Sequence, residues 1–184
     1  ITTAVQSAYS EQWDDRSIVP IEKHDNRFYM ELFHGPTLAF KDIALQMLPQ
    51  LMTRAVQIEK IAKDIIILTA TSGDTGTASM RGFANQKGTD VIVFYPEGGV
   101  SPVQLKQMLS QRGNNLRAIA IKGNFDDAQT EVKKIFNDDS FKNRLNANGY
   151  QFSSANSMNI GRLVPQISYY LYTYGQLVRR QEIK

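Results

Sequence analysis

Cysteine is absent from the 184 residues, tryptophan occurs once and histidine twice. Without cysteine there is no disulfide framework, no thiol nucleophile and no cysteine-held metal. His24 and His34 form no HExxH pair, so the sequence offers no zinc-hydrolase site, and no metal is expected. No apolar run reaches the roughly 18 residues that cross a bilayer, which argues against a membrane partner. Charge of one sign is also scarce. Lys and Arg number 21 against 18 Asp and Glu, a net +3, with no block of five or six like charges. A nucleic-acid partner would ask for a denser basic stripe. Residue 1 is Ile, and no signal peptide is visible. The expectation is a cytoplasmic chain that is a processed form or an excised piece of something longer.

What is present is ordinary globular material: 42% hydrophobic and 21% charged residues. A chain this long can bury about 70% of its unfolded surface. Residues 1–63 do not read as repeated α/β units. Asn26 to Phe33 alternates Phe28, Met30 and Leu32 against Arg27, Tyr29 and Glu31, which predicts a strand. His34-Gly35-Pro36-Thr37 is a turn. Phe40, Ala44, Met47, Leu48, Leu51, Met52 and Ala55 then give one apolar helix face, with a kink expected at Pro49.

From residue 64 the rhythm changes. Ile65–Leu68, Val91–Tyr95, Leu116–Ile121 and Tyr150–Phe152 read as buried strands, with helices predicted over 75–87, 102–111 and 126–137. Asp126 and Asp127 suit a helix N-terminus. The alternation predicts an α/β fold: an open, mostly parallel sheet with helices on both faces. A last helix over about 157–181 carries Leu163, Val164, Ile167, Tyr170, Leu171, Tyr174 and Leu177, an apolar stripe for a core or an interface. Arg179-Arg180 reads as a solvated helix end.

Three constellations could carry chemistry. Thr71-Ser72-Gly73-Asp74-Thr75-Gly76 follows the first buried strand and opens a helix, where glycines admit a ligand and backbone N–H groups are unpaired. The plainer alternative is a tight turn with a Ser or Asp cap. It is neither a P-loop nor GxGxxG, and the Asp74 carboxylate suits a cationic or proton-carrying ligand group better than a phosphate. Phe40-Lys41-Asp42 places a lysine at a semi-apolar helix start. Shielding by Phe40 would strip solvation from the amine and favour its neutral, nucleophilic form, as a carbonyl cofactor requires; the alternative is a surface lysine with an apolar stem. Ser153 to Arg162 brings Asn156, Ser157 and Arg162 within reach of one oxyanion, or else supplies a helix cap and a surface arginine.

Taken together, these segments resemble the threonine synthase family, pyridoxal-phosphate (PLP) enzymes of the tryptophan-synthase-β-like fold. The resemblance lies in Leu32-Phe33-His34-Gly35-Pro36-Thr37-Leu38-Ala39-Phe40-Lys41-Asp42, in Ser72-Gly73-Asp74-Thr75-Gly76, and in Asn156-Ser157 through Arg162. Gly123-Asn124-Phe125-Asp126-Asp127 adds to it. The resemblance implies that Lys41 bonds to the cofactor aldehyde and serves as the catalytic acid–base group. It implies cofactor contacts by Phe40, Asp74 and Thr75, and substrate contacts by Ser72, Gly73, Thr75, Asn156, Ser157 and Arg162. Asp74 stands where many relatives carry Asn. The implied reaction turns O-phospho-L-homoserine and water into L-threonine and phosphate. A same-fold threonine dehydratase or cysteine synthase is the alternative; the Asn156-Ser157/Arg162 group argues against it. The family places its loop for the PLP phosphate later than Leu177. The expectation is therefore a central piece: residues 1–63 from the large domain, 64–155 the small α/β domain, and 156–184 a helix returning to the large domain. Such a piece is expected not to turn over substrate alone, and to be able to self-associate through the tyrosine-rich helix.

Overall fold

A computed structural model describes residues 1–184. Four parallel strands form the central sheet: β3 (Asp64–Ala70), β4 (Thr89–Pro96), β5 (Leu116–Ile121) and β6 (Tyr150–Ser154), in the order β5-β4-β3-β6. Ile67 lies beside Val91 on one side and Ser153 on the other, so β3 is an interior strand. This is the open parallel sheet predicted from the alternating runs.

Each face of the sheet carries its own core. Ile65, Ile67, Val91 and Val93 pack with Leu45 and Leu48 of α2 (Asp42–Ile58), Ala78, Met80 and Phe83 of α3 (Asp74–Phe83), and Met108 of α4 (Pro102–Leu109). On the opposite face Leu68 and Ala70 meet Ala128 and Val132 of α5 (Phe125–Asn137). Phe152 there stacks against Phe136, and against Phe141 of α6 (Asp139–Ala147), an element the sequence reading did not separate. Gly82 lets α3 ride directly on α2: a Cβ there would lie 2.0 Å from the Leu45 carbonyl oxygen. Pro49 is buried inside α2, and the helix continues through it.

Residues before α2 form α1 (Thr2–Ala8) and a hairpin of β1 (Ile21–His24) and β2 (Arg27–Met30). The strand expected over 26–33 is thus shorter. Asp25 turns the chain with φ 54, the left-handed conformation that short polar side chains tolerate. Trp13, Val19, Ile43, Ala44 and Tyr169 make a third core, which joins this region to α2 and α7 (Ile160–Arg179). Most of the predicted α7 stripe faces outward, with Tyr170 at 75% and Leu171 at 70% exposure. Within this chain it is surface rather than core. No helix is long and apolar enough to cross a membrane.

Candidate active site

Lys41 occupies the N-cap position of α2, and the segment before it is tightly determined. Two successive turns close with Leu38 N–H to the Gly35 carbonyl and Asp42 N–H to the Ala39 carbonyl. The Asp42 carboxylate, with no exposed surface, accepts from the Thr37 backbone N–H at 2.8 Å and its hydroxyl at 2.6 Å. Gly35 is required there, because a Cβ would fall 2.6 Å from Asp42. Burial pushes the Asp42 carboxyl up from its usual range, and the bonds from Thr37 oppose that shift.

Two phenols complete the cradle. Tyr169 donates to the carbonyl of Phe40, and Tyr9 donates at 2.6 Å to the carbonyl of Ile43. Burial raises both hydroxyls, Tyr9 to about 12, so both remain donors at neutral pH. The backbone on either side of Lys41 is therefore fixed from α1 and from α7.

The Lys41 side chain is 16% exposed. Its amine lies 4.4 Å from the centroid of the Phe40 ring. It also donates a 3.4 Å hydrogen bond to Oδ2 of Asp74, at the start of α3 and beyond the carboxyl end of β3. Lys41 and the Ser72–Gly76 loop, separate in sequence, thus converge at the sheet position where open α/β folds place ligands.

The loop is shaped by a residue that the capping alternative overlooked. Thr71, 1% exposed, uses its hydroxyl oxygen to accept from the N–H groups of both Gly73 and Gly76, each at 2.9 Å. Neither Ser72 nor Asp74 caps α3; the N-cap is Gly73, with φ 151. A Cβ at Gly73 would also strike the Gln104 side-chain amide at 2.5 Å. Ser72 stays exposed and Thr75 half-buried. Gln104 of α4 donates to Oδ1 of Asp74 at 2.6 Å and belongs to the site. Nothing local in the sequence marked it, because only the fold brings α4 beside α3.

The third constellation is divided. The Asn156 side-chain amide spans the Ala70 backbone, accepting from its N–H at 3.1 Å and donating to its carbonyl at 2.9 Å. It thereby fixes the end of β3 just ahead of the loop. Ser157 is exposed beside it and lines a recess of about 140 Å³ with Gln129 and Lys133. Arg162 is not the surface arginine of the alternative reading but 6% exposed, with Nη1 donating to the Ala155 carbonyl at 2.8 Å. Its Nε has no partner and no carboxylate lies within ion-pair distance. Burial lowers its pKa accordingly. The cap of α7 is Asn159, which accepts from Gly161 N–H.

No protein-family profile matches the chain. The chain is 39% identical over 181 residues to human threonine synthase-like 1, covering 95% of itself and 24% of that protein. It is 40% identical over 162 residues to threonine synthase of Pseudomonas aeruginosa, covering 88% of itself and 33% of that enzyme. Among solved structures, PLP-bound threonine synthase from Brucella melitensis superposes with a TM-score of 0.83 at 40% identity, over 95% of this chain and 36% of that one. The yeast enzyme gives 0.81 at 32% identity, over 96% and 35%. Diaminopropionate ammonia lyase from Escherichia coli shares the fold alone, with a TM-score of 0.63 at 12% identity. The chain spans about a quarter to a third of the length of these curated relatives. In sequence the chain is a homologue of part of the threonine synthases, and its fold is that of the corresponding part of the PLP-bound Brucella enzyme.

Proposed function

We propose that this stretch supplies the cofactor lysine and part of the substrate pocket of a cytoplasmic threonine synthase, which converts O-phospho-L-homoserine and water to L-threonine and phosphate. The observation that carries the reading is the approach of the Lys41 amine to 3.4 Å from the Ser72–Gly76 loop at Asp74. The donor set suits a PLP aldehyde: a mostly enclosed primary amine, laid on an aromatic ring, beside the first turn of α3. When bound, PLP supplies the electron sink for carbanion chemistry.

The chain's own residues do the rest. Lys41 holds and moves a proton at the α and β carbons of the substrate, and the Asp42, Tyr9 and Tyr169 contacts keep its backbone in place. Phe40, Asp74 and Thr75 belong to the cofactor side. Ser72, Gly73 and Thr75 belong to the side of the substrate. Ser157 and Arg162 are assigned to its phosphate, and Asn156 adds the amide hydrogen that Ala70 leaves over. A buried guanidinium without a carboxylate costs several kcal/mol unless an anion offsets it. That cost at Arg162 supports the reading of a phosphorylated substrate. Lys41 thus stands where residues 1–63 adjoin the 64–155 sheet unit, a junction we assign to the two domains of such an enzyme.

The test is chemical capture. The chain is incubated with PLP, reduced with borohydride and mapped by mass spectrometry. Preferential labelling of Lys41, with a visible absorbance band lost in Lys41→Ala, is expected. Labelling spread over surface lysines without preference overturns the assignment. Phosphate release from O-phospho-L-homoserine, against ammonia release from threonine, measured on a polypeptide that includes this stretch, then separates the proposed activity from a dehydratase.

A further inference from the structure

The distance between Lys41 and Asp74 is longer than two such groups adopt when free. A charge-assisted N–H to carboxylate bond settles near 2.7–2.9 Å. Here Oδ2 of Asp74 stops at 3.4 Å from the amine, while its other oxygen, Oδ1, is held at 2.6 Å by Nε2 of Gln104. We infer that Gln104 is a positioning residue, one that holds the Asp74 carboxylate back so that the Lys41 amine remains available to a carbonyl compound. The inference rests on Lys41 being the carbonyl-capturing amine.

The orientation of the Gln104 amide is itself determined. Ser101, the N-cap of α4, accepts from the Gln104 backbone N–H at 3.3 Å. The Ser101 hydroxyl hydrogen is thereby turned outward and donates to Oε1 of Gln104 at 2.9 Å. With Oε1 accepting, Nε2 is the atom that faces Asp74, and it can only donate. The carboxylate is thus engaged as an acceptor on its far side. Gly73 makes the arrangement possible, because the amide lies where its Cβ would be. Four residues at the starts of three helices, α4, α3 and α2, form one polar chain from Ser101 to Lys41. Releasing Gln104 lets Asp74 swing onto the amine and bury it in a closed ion pair.

The test reads the amine directly and needs no cofactor. Wild type, Gln104→Met, Asp74→Ala and the double variant are treated with limiting acetic anhydride. Acetylation of Lys41 is measured by mass spectrometry relative to exposed Lys60 and Lys87 in the same sample. Gln104→Met is expected to slow Lys41 acetylation about fivefold, the scale of one modest hydrogen bond. Asp74→Ala accelerates it, and in that background Gln104→Met has no further effect. A general loosening of the fold would change Lys41 by the same factor in both backgrounds, and that result overturns the proposal, as does no change in Gln104→Met. Should Gln104→Met lower the melting temperature, Ser101→Ala loosens the same amide from outside the site and is expected to slow Lys41 in the same direction; an unchanged rate overturns the proposal. PLP capture is scored separately, so a chain that does not take PLP at Lys41 refutes the proposed function and leaves the Gln104 measurement readable.

Discussion

Thr71 carries more of the loop than any other residue of the motif it opens. Its one hydroxyl oxygen satisfies two buried backbone N–H groups. Thr71→Val keeps the shape and removes both acceptor contacts, so two donors lose their partner. At about 1–3 kcal/mol per unsatisfied group, a destabilisation of about 2–6 kcal/mol is expected in urea unfolding, and Thr71→Ser restores most of it. The same residue marks where sequence reasoning reached its limit. Ser72, Asp74 and Thr75 were legible as a hydroxyl- and carboxylate-bearing loop because glycines flank them at a strand end. That the capping group sits one residue earlier, just past the strand, depends on the turn at Gly73 with φ 151, which no composition rule specifies. Gln104 was invisible for a different reason: its partner lies 30 positions away on another helix.

At the level of elements, the strands of the sheet were readable because burial on both faces demands continuous apolar runs, as in Ile65-Ile66-Ile67-Leu68. The hairpin was half readable. Phe28 and Met30 alternate as expected, yet β1 contains Glu22, Lys23 and His24, which are exposed and carry no hydrophobic signal. The exit of that hairpin is tied down by His34. Its Nδ1 meets Asp14 at 2.6 Å and its Nε2 meets Glu31 at 2.8 Å, linking the 10–17 segment to the strand end. Its hydrogen bond with Glu31, followed by that with Asp14, raises its pKa above 6.5 against some opposing desolvation. A histidine raised in the folded state stabilises most at low pH. The contribution is whole below about pH 6.5 and fades as pH rises through the folded value. Thermal melts between pH 6 and pH 9 should lose this increment, and His34→Gln should remove the corresponding slope. An identical pH slope in His34→Gln would exclude the link.

For the whole molecule, the outstanding feature is the outer face of α7. Ile160, Val164, Ile167, Tyr170, Leu171 and Tyr174 are all more than half exposed along a helix of 20 residues, about 30 Å long. An apolar strip of this extent on an isolated chain is expected to meet a second copy of itself. Sedimentation velocity over a concentration series should show association, and Leu171→Glu with Tyr170→Glu should abolish it without altering PLP capture at Lys41. The apolar spacing made the stripe readable, but spacing alone could not decide between core and interface. Among its tyrosines Tyr169 is buried and donates to the Phe40 carbonyl, Tyr172 packs half-buried against the same core, and Tyr170 and Tyr174 face outward.

The lateral order of the sheet also sets a timetable. β3 ends in the loop that faces Lys41, yet one of its two neighbours is β6, and Asn156 reaches back 86 positions to grip Ala70. A nascent chain leaving the ribosome therefore carries Lys41 and the Ser72–Gly76 segment long before it can assemble them. Until residue 156 emerges, β3 is a border strand with bare amides, and the lysine has no finished pocket to serve.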